Sequence, residues 1–405
     1  MLVSPSQKGY HGLIHRPPLV IARAYDKGVS FLSNNYVISS DSHVFEPPDL
    51  WTTRIEKKYK DRAPHMKRID NEDQLFVEGD QKISGIGQIS DAGKRFEAPQ
   101  DISAEGLFDN VHEGGYDPHQ HLVDMKLDGV SGEVLYPSQG LFYFSVADSQ
   151  LTSAIFRVYN NWIAEFCGYN PQKLKGIAMI NLDDIDDAII ELKRCAKLGL
   201  AGAMISEFPG QERRYDQKYY NPFWAQAESL DMPLSLHTAT ARHGESRTLT
   251  KLGIRQATAR ATKTYWVSTS LCDIIFSGVL DRYPSLRFVV AEFELAWVPY
   301  FLRTLDYGYI ERQFEATYRF KENRLPSDFF RENISLSFQE DDLGIRMRDF
   351  IGVNTLMWGS DYPHAESTFP YSRETLNRIL ANVPEDEKRL IVGENASKLY
   401  GFAKE

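Results

Sequence analysis

Four hundred and five residues exceed what one hydrophobic core usually serves, unless strands and helices alternate into a barrel, which reaches about 250 residues or more as one unit. With 42% hydrophobic, 25% charged and 12% aromatic residues, the chain has an ordinary globular composition, which excludes disorder and low-complexity readings. Forty-six Lys and Arg against 56 Asp and Glu give a net charge of -10, which argues against a nucleic-acid partner, because phosphate neutralisation needs a basic face.

Residues 1–34, rich in Pro, Gly and Ser, are expected to form an irregular surface arm. From residue 35 short β-branched runs alternate with longer amphipathic segments, the pattern of repeated βα units. The expected strands are Tyr36–Ser40, Val130–Tyr136, Leu174–Ile180, Gly202–Ser206, Pro233–His237, Leu286–Ala291, Asn333–Phe338 and Thr355–Gly359. Eight strands, seven of them joined through helices, predict an α/β fold of the (β/α)8 TIM-barrel type spanning 35–405. The long gap after the first strand predicts a small β insertion at about 52–115, with a hairpin turning at Asn71–Asp73. Ile185, Ile189, Leu192 and Ala196 fall on one face of a helix over 185–197, with Asp183 as its expected N-cap and Gly199 as its stop. Residues 305–331, unusually aromatic and charged, are expected to form a helical excursion that covers the barrel mouth or makes a dimer contact.

Cys167, Cys195 and Cys272 are too few and too far apart for a disulfide framework or a Cys-based zinc site, and read as buried thiols of a reducing compartment. No stretch approaches the roughly 18 apolar residues of a membrane span, and the N-terminus lacks the apolar core of a secretion signal. The expected address is cytoplasmic, without a membrane partner.

Functional side chains of such a barrel project from the C-terminal ends of its strands. The first strand runs into Asp41-Ser42-His43, and a period of two puts Asp41 and His43 on one face. The fifth ends at His237, the sixth runs into Glu292 and the eighth into Asp361, while the second carries Glu133 in an apolar run. Each has an ordinary explanation alone: Asp361 caps a helix, Glu133 and Glu292 pair with arginines, a single histidine is a hydrogen-bonded end residue. Together they conflict, because several such groups in a partly dry pocket are costly unless a cation binds them. Arg242 and His243 follow His237 and are expected to meet an anionic substrate group. His364, after Asp361, is expected near the substrate or as a donor that orients the aspartate.

SSDSHVFEPPDLW, DGVSGEVLYPS, LKGIAMINLDD, YNPFWAQAESLDMPLSLHTAT, FSGVLDRYPSLRFVVAEFELAWVPY and LMWGSDYPHAESTFP follow one another from residue 37 to about 370. In this order they resemble the amidohydrolase superfamily, in particular the amidohydrolase-related (amidohydrolase 2) branch, which includes nonoxidative aromatic-acid decarboxylases. The resemblance implies that Asp41, His43 and His237 are metal ligands and that Asp361 is a ligand or proton carrier. It departs at two positions: Asp41-x-His43 stands where many relatives have His-x-His, and Glu292 stands where those decarboxylases place a histidine.

The resulting expectation is a metal-dependent hydrolase with Asp41, His43, His237 and Asp361 as ligands, Glu133 and Glu292 as further carboxylates, and Asp361 or Glu292 as the proton carrier. Its substrate would be a small to medium organic carbonyl, carboxylate or thioester compound. A nonoxidative decarboxylase on the same site is the first alternative, and a dinuclear nonheme iron oxygenase acting on a carrier-linked substrate is the second. The cofactor is expected to be one or two divalent ions, Zn, Mn or Fe, and the protein a homo-oligomer.

Overall fold

The computed structural model of the protein describes residues 36–242, 256–316 and 318–403. The expected arm at 1–34 and His243 lie outside the described residues. In chain order the strands are β1 (Ile38–Val44), β2 (His65–Ile69), β3 (Glu72–Val77), β4 (Gln81–Gly85), β5 (Gly132–Pro137), β6 (Leu174–Met179), β7 (Gly202–Ile205), β8 (Leu234–His237), β9 (Phe288–Ala291), β10 (Ile334–Phe338) and β11 (Leu356–Trp358). Eight of them form one sheet in the order β1-β5-β6-β7-β8-β9-β10-β11, all neighbours parallel where paired. The ring closes where Ser40 Oγ donates to the Trp358 carbonyl at 3.0 Å and Asp361 N donates to the Asp41 carbonyl at 2.8 Å. This is the TIM barrel expected from the pattern.

Strands covered on both faces read as continuous apolar runs, and β5 to β11 largely do. β1 is the exception, with Ser39, Ser40 and Ser42 fully buried. Their hydroxyls are satisfied: Ser42 Oγ donates to Ser39 Oγ at 2.8 Å, and Ser40 Oγ lies 2.7 Å from Ser337 Oγ. Buried polar groups are tolerated when paired in this way, and the net stiffens the end of β1 that carries Asp41 and His43.

Local details differ from the pattern reading. β2 and β3 turn at Asp70-Asn71, both left-handed (φ 51 and 64), and Ile69 pairs with Glu72, so the turn lies just ahead of the expected Asn71–Asp73. Two residues at positive φ match the strand twist, a position Asn and Asp tolerate. β4 adds a third antiparallel strand to the insertion. The helix Ile185–Lys197 is capped by Asp184, which accepts from Asp186 N and Asp187 N; the expected cap, Asp183, instead takes the guanidinium of Arg242. The excursion at 305–331 is only partly helical. The helix Val298–Glu311 ends as Arg312 leaves helical geometry, and the chain re-enters a helix at Pro326–Asn333. Cys272 is half-buried where a buried thiol was expected. Among the described residues no helix is long and apolar enough to cross a membrane.

Asp128, at the end of the helix Pro118–Asp128, is buried and accepts hydrogen bonds from Ser372 N (2.9 Å) and Ser372 Oγ. Burial pushes its carboxyl up to about 6 against the pull of those bonds. The folded state therefore binds a proton that the unfolded state has released, and stability falls as pH rises from about 4 to about 6. Asp128→Asn should be more stable than the parent at pH 8, by roughly 1–3 kcal/mol. The gain should shrink toward pH 4. Thermal melts at both pH values check this, and an equal effect at both would refute it.

Candidate metal centre

The C-terminal ends of β1, β8, β9 and β11 converge on one spot. Asp41 and His43 are 4% and 0% exposed, His237 0% and Asp361 5%. His43 Nε2 lies 3.6 Å from Asp41 Oδ1 and 3.3 Å from Asp361 Oδ1; His237 Nε2 lies 3.5 Å from the same Asp41 oxygen. Glu292 reaches in from the end of β9, its Oε2 3.6 Å from His237 Nε2, with its side chain 28% exposed.

The outer nitrogens of the two imidazoles define their chemistry. His43 Nδ1 sits 2.9 Å from the Pro137 carbonyl, and His237 Nδ1 3.0 Å from the Thr238 carbonyl. A carbonyl only accepts, so each Nδ1 carries the proton and each Nε2 presents a lone pair to the cluster. Asp41 Oδ1, His43 Nε2, His237 Nε2 and Asp361 Oδ1 are all buried without a hydrogen-bond partner. Four electron-pair donors facing one another in a buried cluster are what a divalent cation resolves. Asp41, His43 and His237 have donor atoms within 4.8 Å of one another, as do His43, Asp361 and His364.

The electrostatics are correspondingly unbalanced. Burial pushes the His43 imidazole down to about 4, and His364 stacked beside it pushes the same way. Burial opposes charge on His237 as well, but Asp41 more than offsets it and raises the group to about 9, so without a cation Nε2 would take up a proton, and a bound cation would hold that lone pair in the proton's place. Burial raises the Glu292 carboxyl to about 7, and the nearby Asp361 carboxylate adds to this. For Asp361 burial acts upward, but His364 and His43 hold it far below the ordinary carboxylate range.

Backbone placement is exacting. Asp361 and Glu292 both hold left-handed φ, 62° and 66°. For a glutamate this is strained, and such strain concentrates at functional sites. A Cβ on Gly359 would stand 2.5 Å from Asp41 Cβ and 2.9 Å from Ser337 Oγ, so only glycine lets the end of β11 lie against β1. The next residue after Asp361 is anchored twice: the Tyr362 carbonyl accepts from His43 N at 2.6 Å, and its hydroxyl donates to Asp124 Oδ2 at 2.5 Å.

Three expected site residues are placed elsewhere or engaged otherwise. Glu133 is outside the cluster. It pairs in register with Ser39, near the start of β1, and its Oε2 lies 2.6 Å from His121 Nε2 behind the barrel wall. Arg242 is 3% exposed, with its guanidinium on Asp183 and on the carbonyls of Phe144 (2.7 Å) and Val146. It ties loops together, with its charge met by Asp183. His364 has both ring nitrogens engaged, Nδ1 2.8 Å from Asp361 Oδ1 and Nε2 2.9 Å from Ser138 Oγ. That arrangement orients the aspartate and leaves no free nitrogen for a substrate.

Glu207 was missed by the sequence reading. It follows β7, is 1% exposed, and burial pushes its carboxyl up to about 8, partly countered by His237 and the Ala241 amide. The strand-end rule that picked out Glu292 points to it as well. Tyr136, on the floor between His43 and His237 with ring centroids 6.0 and 5.1 Å away, gives no sequence signal beyond its place in an apolar strand.

A family model described as amidohydrolase matches residues 134–402. The γ-resorcylate decarboxylase of Rhodococcus jostii is 28% identical over 268 residues, 61% of this chain and 76% of that protein. Among solved structures, an amidohydrolase from Mycobacterium avium subsp. paratuberculosis superposes with a TM-score of 0.75 at 21% identity, over 91% of this chain and 100% of that one. A dihydroxybenzoic acid decarboxylase from Polaromonas sp., solved with manganese and the inhibitor 2-nitroresorcinol, gives a TM-score of 0.62 at 19% identity over 92% and 98% of the two chains.

Proposed function

Because this chain belongs to the amidohydrolase family, we propose that it is a metal-dependent carboxy-lyase that removes CO2 from a hydroxylated aromatic acid or a close analogue. The observation that carries the reading is the set of four unpartnered donors, Asp41 Oδ1, His43 Nε2, His237 Nε2 and Asp361 Oδ1, turned toward one another out of contact with water. Two imidazoles and two carboxylates suit Mn2+ among the divalent ions, and the Polaromonas decarboxylase holds manganese. What such an ion supplies is Lewis acidity toward the substrate's carboxylate and its neighbouring oxygen.

A single ion fits this donor set. The two possible ligand groups share His43, whose Nε2 is its one free nitrogen, and Glu133 is held by His121. This weighs against the dinuclear oxygenase reading. Hydrolysis, the first expectation from the residues, gives way to decarboxylation because the relatives matched along the sequence are decarboxylases.

Glu292 is the group placed to move a proton. Its partial exposure lets it exchange with solvent, and its carboxyl, raised to about 7, is partly protonated at neutral pH. As the bond to the carboxylate carbon breaks, CO2 leaves, the electron pair stays on the ring carbon, and Glu292 Oε delivers the proton there. Asp361, oriented by His364, keeps its charge. The test is CO2 release from a panel of hydroxybenzoates, 2,6-dihydroxybenzoate included, by Mn2+-loaded protein. Metal-dependent turnover of at least one member is expected. A protein inert on the panel that cleaves lactones or amides instead would return the site to the hydrolytic reading.

A further inference from the structure

One stretch of chain spans the C-terminal face of the barrel between the loops after β11 and β7. At one end Arg260, in the helix Gln256–Ala261, donates to Glu366 Oε2 at 2.7 Å, two residues beyond His364. At the other end Trp266, in the helix Thr264–Phe276, lies on Phe208 with ring centroids 4.5 Å apart. Ser270 of the same helix donates from Oγ to the Glu207 carbonyl at 2.5 Å. Of the strands that stand between β7 and β11 in the ring, β8 ends at His237 and β9 runs into Glu292.

Lys263 stands midway, three residues from each anchor, at the junction of the two helices. It is half-buried. Its ammonium is near enough to Glu292 and Glu294 to pull both carboxyls down, which puts it on the metal-centre side of the bridge. Among the described residues that ammonium makes no hydrogen bond and no ion pair. Arg260, by contrast, has its charge met by Glu366. A lysine drawn out of water normally has a partner, and a pocket fixes its ligand through a few polar groups placed in this way.

We propose that Lys263 determines specificity by pairing with a second anionic substituent, a carboxylate, on an aromatic acid whose other carboxylate is the one lost. The inference rests on the carboxy-lyase reading and adds the substrate class. The departing carboxylate is not the partner. It gives up its charge as CO2 forms, so an ammonium held on it would stabilise the ground state more than the transition state. A substituent that keeps its charge throughout is bound without slowing the reaction.

The test is calorimetric titration of the full chain, loaded with Mn2+, with salicylate, 4-hydroxyisophthalate and 2-hydroxyterephthalate. The last two are salicylate with a second carboxylate at different ring positions. The parent should bind at least one of them about tenfold or more tighter than salicylate, the effect of one hydrogen bond to a charged group. In Lys263→Met that preference should vanish, and in Lys263→Arg, which keeps the charge, most of it should remain. Taking the ratio of two affinities in one variant separates a lost contact from a general loosening of the mouth. A parent without the preference, or a Lys263→Met variant that retains it, would overturn the inference. CO2 release from the same compounds is read separately. A preference that depends on Lys263 without any CO2 release would sink the carboxy-lyase reading and leave the anion contact standing; CO2 release without the preference would do the reverse.

Discussion

His237→Ala should leave the protein unable to retain a divalent ion. His237 Nε2 is one of four donors aimed into the cluster, and it neighbours both Asp41 and Glu292. Removing a residue that only orients a ligand costs about 10–100-fold in metal affinity, so deleting a ligand should cost more than about 100-fold. The cavity left behind joins two carboxylates with no imidazole between them, and each is then costly to keep ionised. Manganese titration by calorimetry, with total metal in the purified protein as the second measurement, reads the effect. Asp41→Ala should behave alike, since its Oδ1 faces both imidazoles, 3.6 Å from His43 Nε2 and 3.5 Å from His237 Nε2. Unchanged affinity in both variants, with the fold intact, would show that the ion sits elsewhere or that none is bound.

The second large effect is expected at Glu292. Glu292→Gln keeps the side chain's size and its position at the end of β9 but removes the exchangeable carboxyl proton. With this carboxyl as proton donor, the decarboxylation rate should fall by about 10²–10⁴-fold. Metal content should hardly change, because Glu292 is not among the four unpartnered donors. The split between lost turnover and retained metal distinguishes a proton carrier from a ligand. A variant that loses both would make Glu292 part of the metal's coordination; one that loses neither would make it a bystander at the rim, as its 28% exposure alone would permit. The substitution also tests whether a carboxyl does here what a histidine does at that position in the decarboxylases this sequence resembles.

The two halves of the site were not equally legible from residue order. Asp41 and His43 follow from period two alone: on a strand, residues i and i+2 point the same way, and both side chains are buried at one end of the barrel. His237, at the tip of β8, follows from the rule that barrel chemistry sits at strand ends. Glu133 defeated the same reasoning. It shares a strand with Tyr136 but lies at the strand's start, and the register of β1 against β5, Ser39 to Glu133 and His43 to Tyr136, separates the metal end from the His121 end. Register between strands joined by more than eighty residues of chain leaves no mark in either strand's own pattern.

Arg242 was equally beyond reach. An arginine after a ligand histidine has the same sequence appearance whether its fork meets a substrate or Asp183, and Asp183 comes from another βα loop. Composition, periodicity and turn chemistry thus determined the eight strands, the insertion and the residue types that could bind a cation, because these depend on contacts within a few residues. Only the closed barrel decided which carboxylates converge at its C-terminal end, that the Arg242 guanidinium meets Asp183, and that Glu292 keeps a partly exposed side chain beside His237. Those outcomes depend on what burial and a neighbouring charge from a distant part of the chain do to each group, and such electrostatic terms exist only once the strands stand side by side.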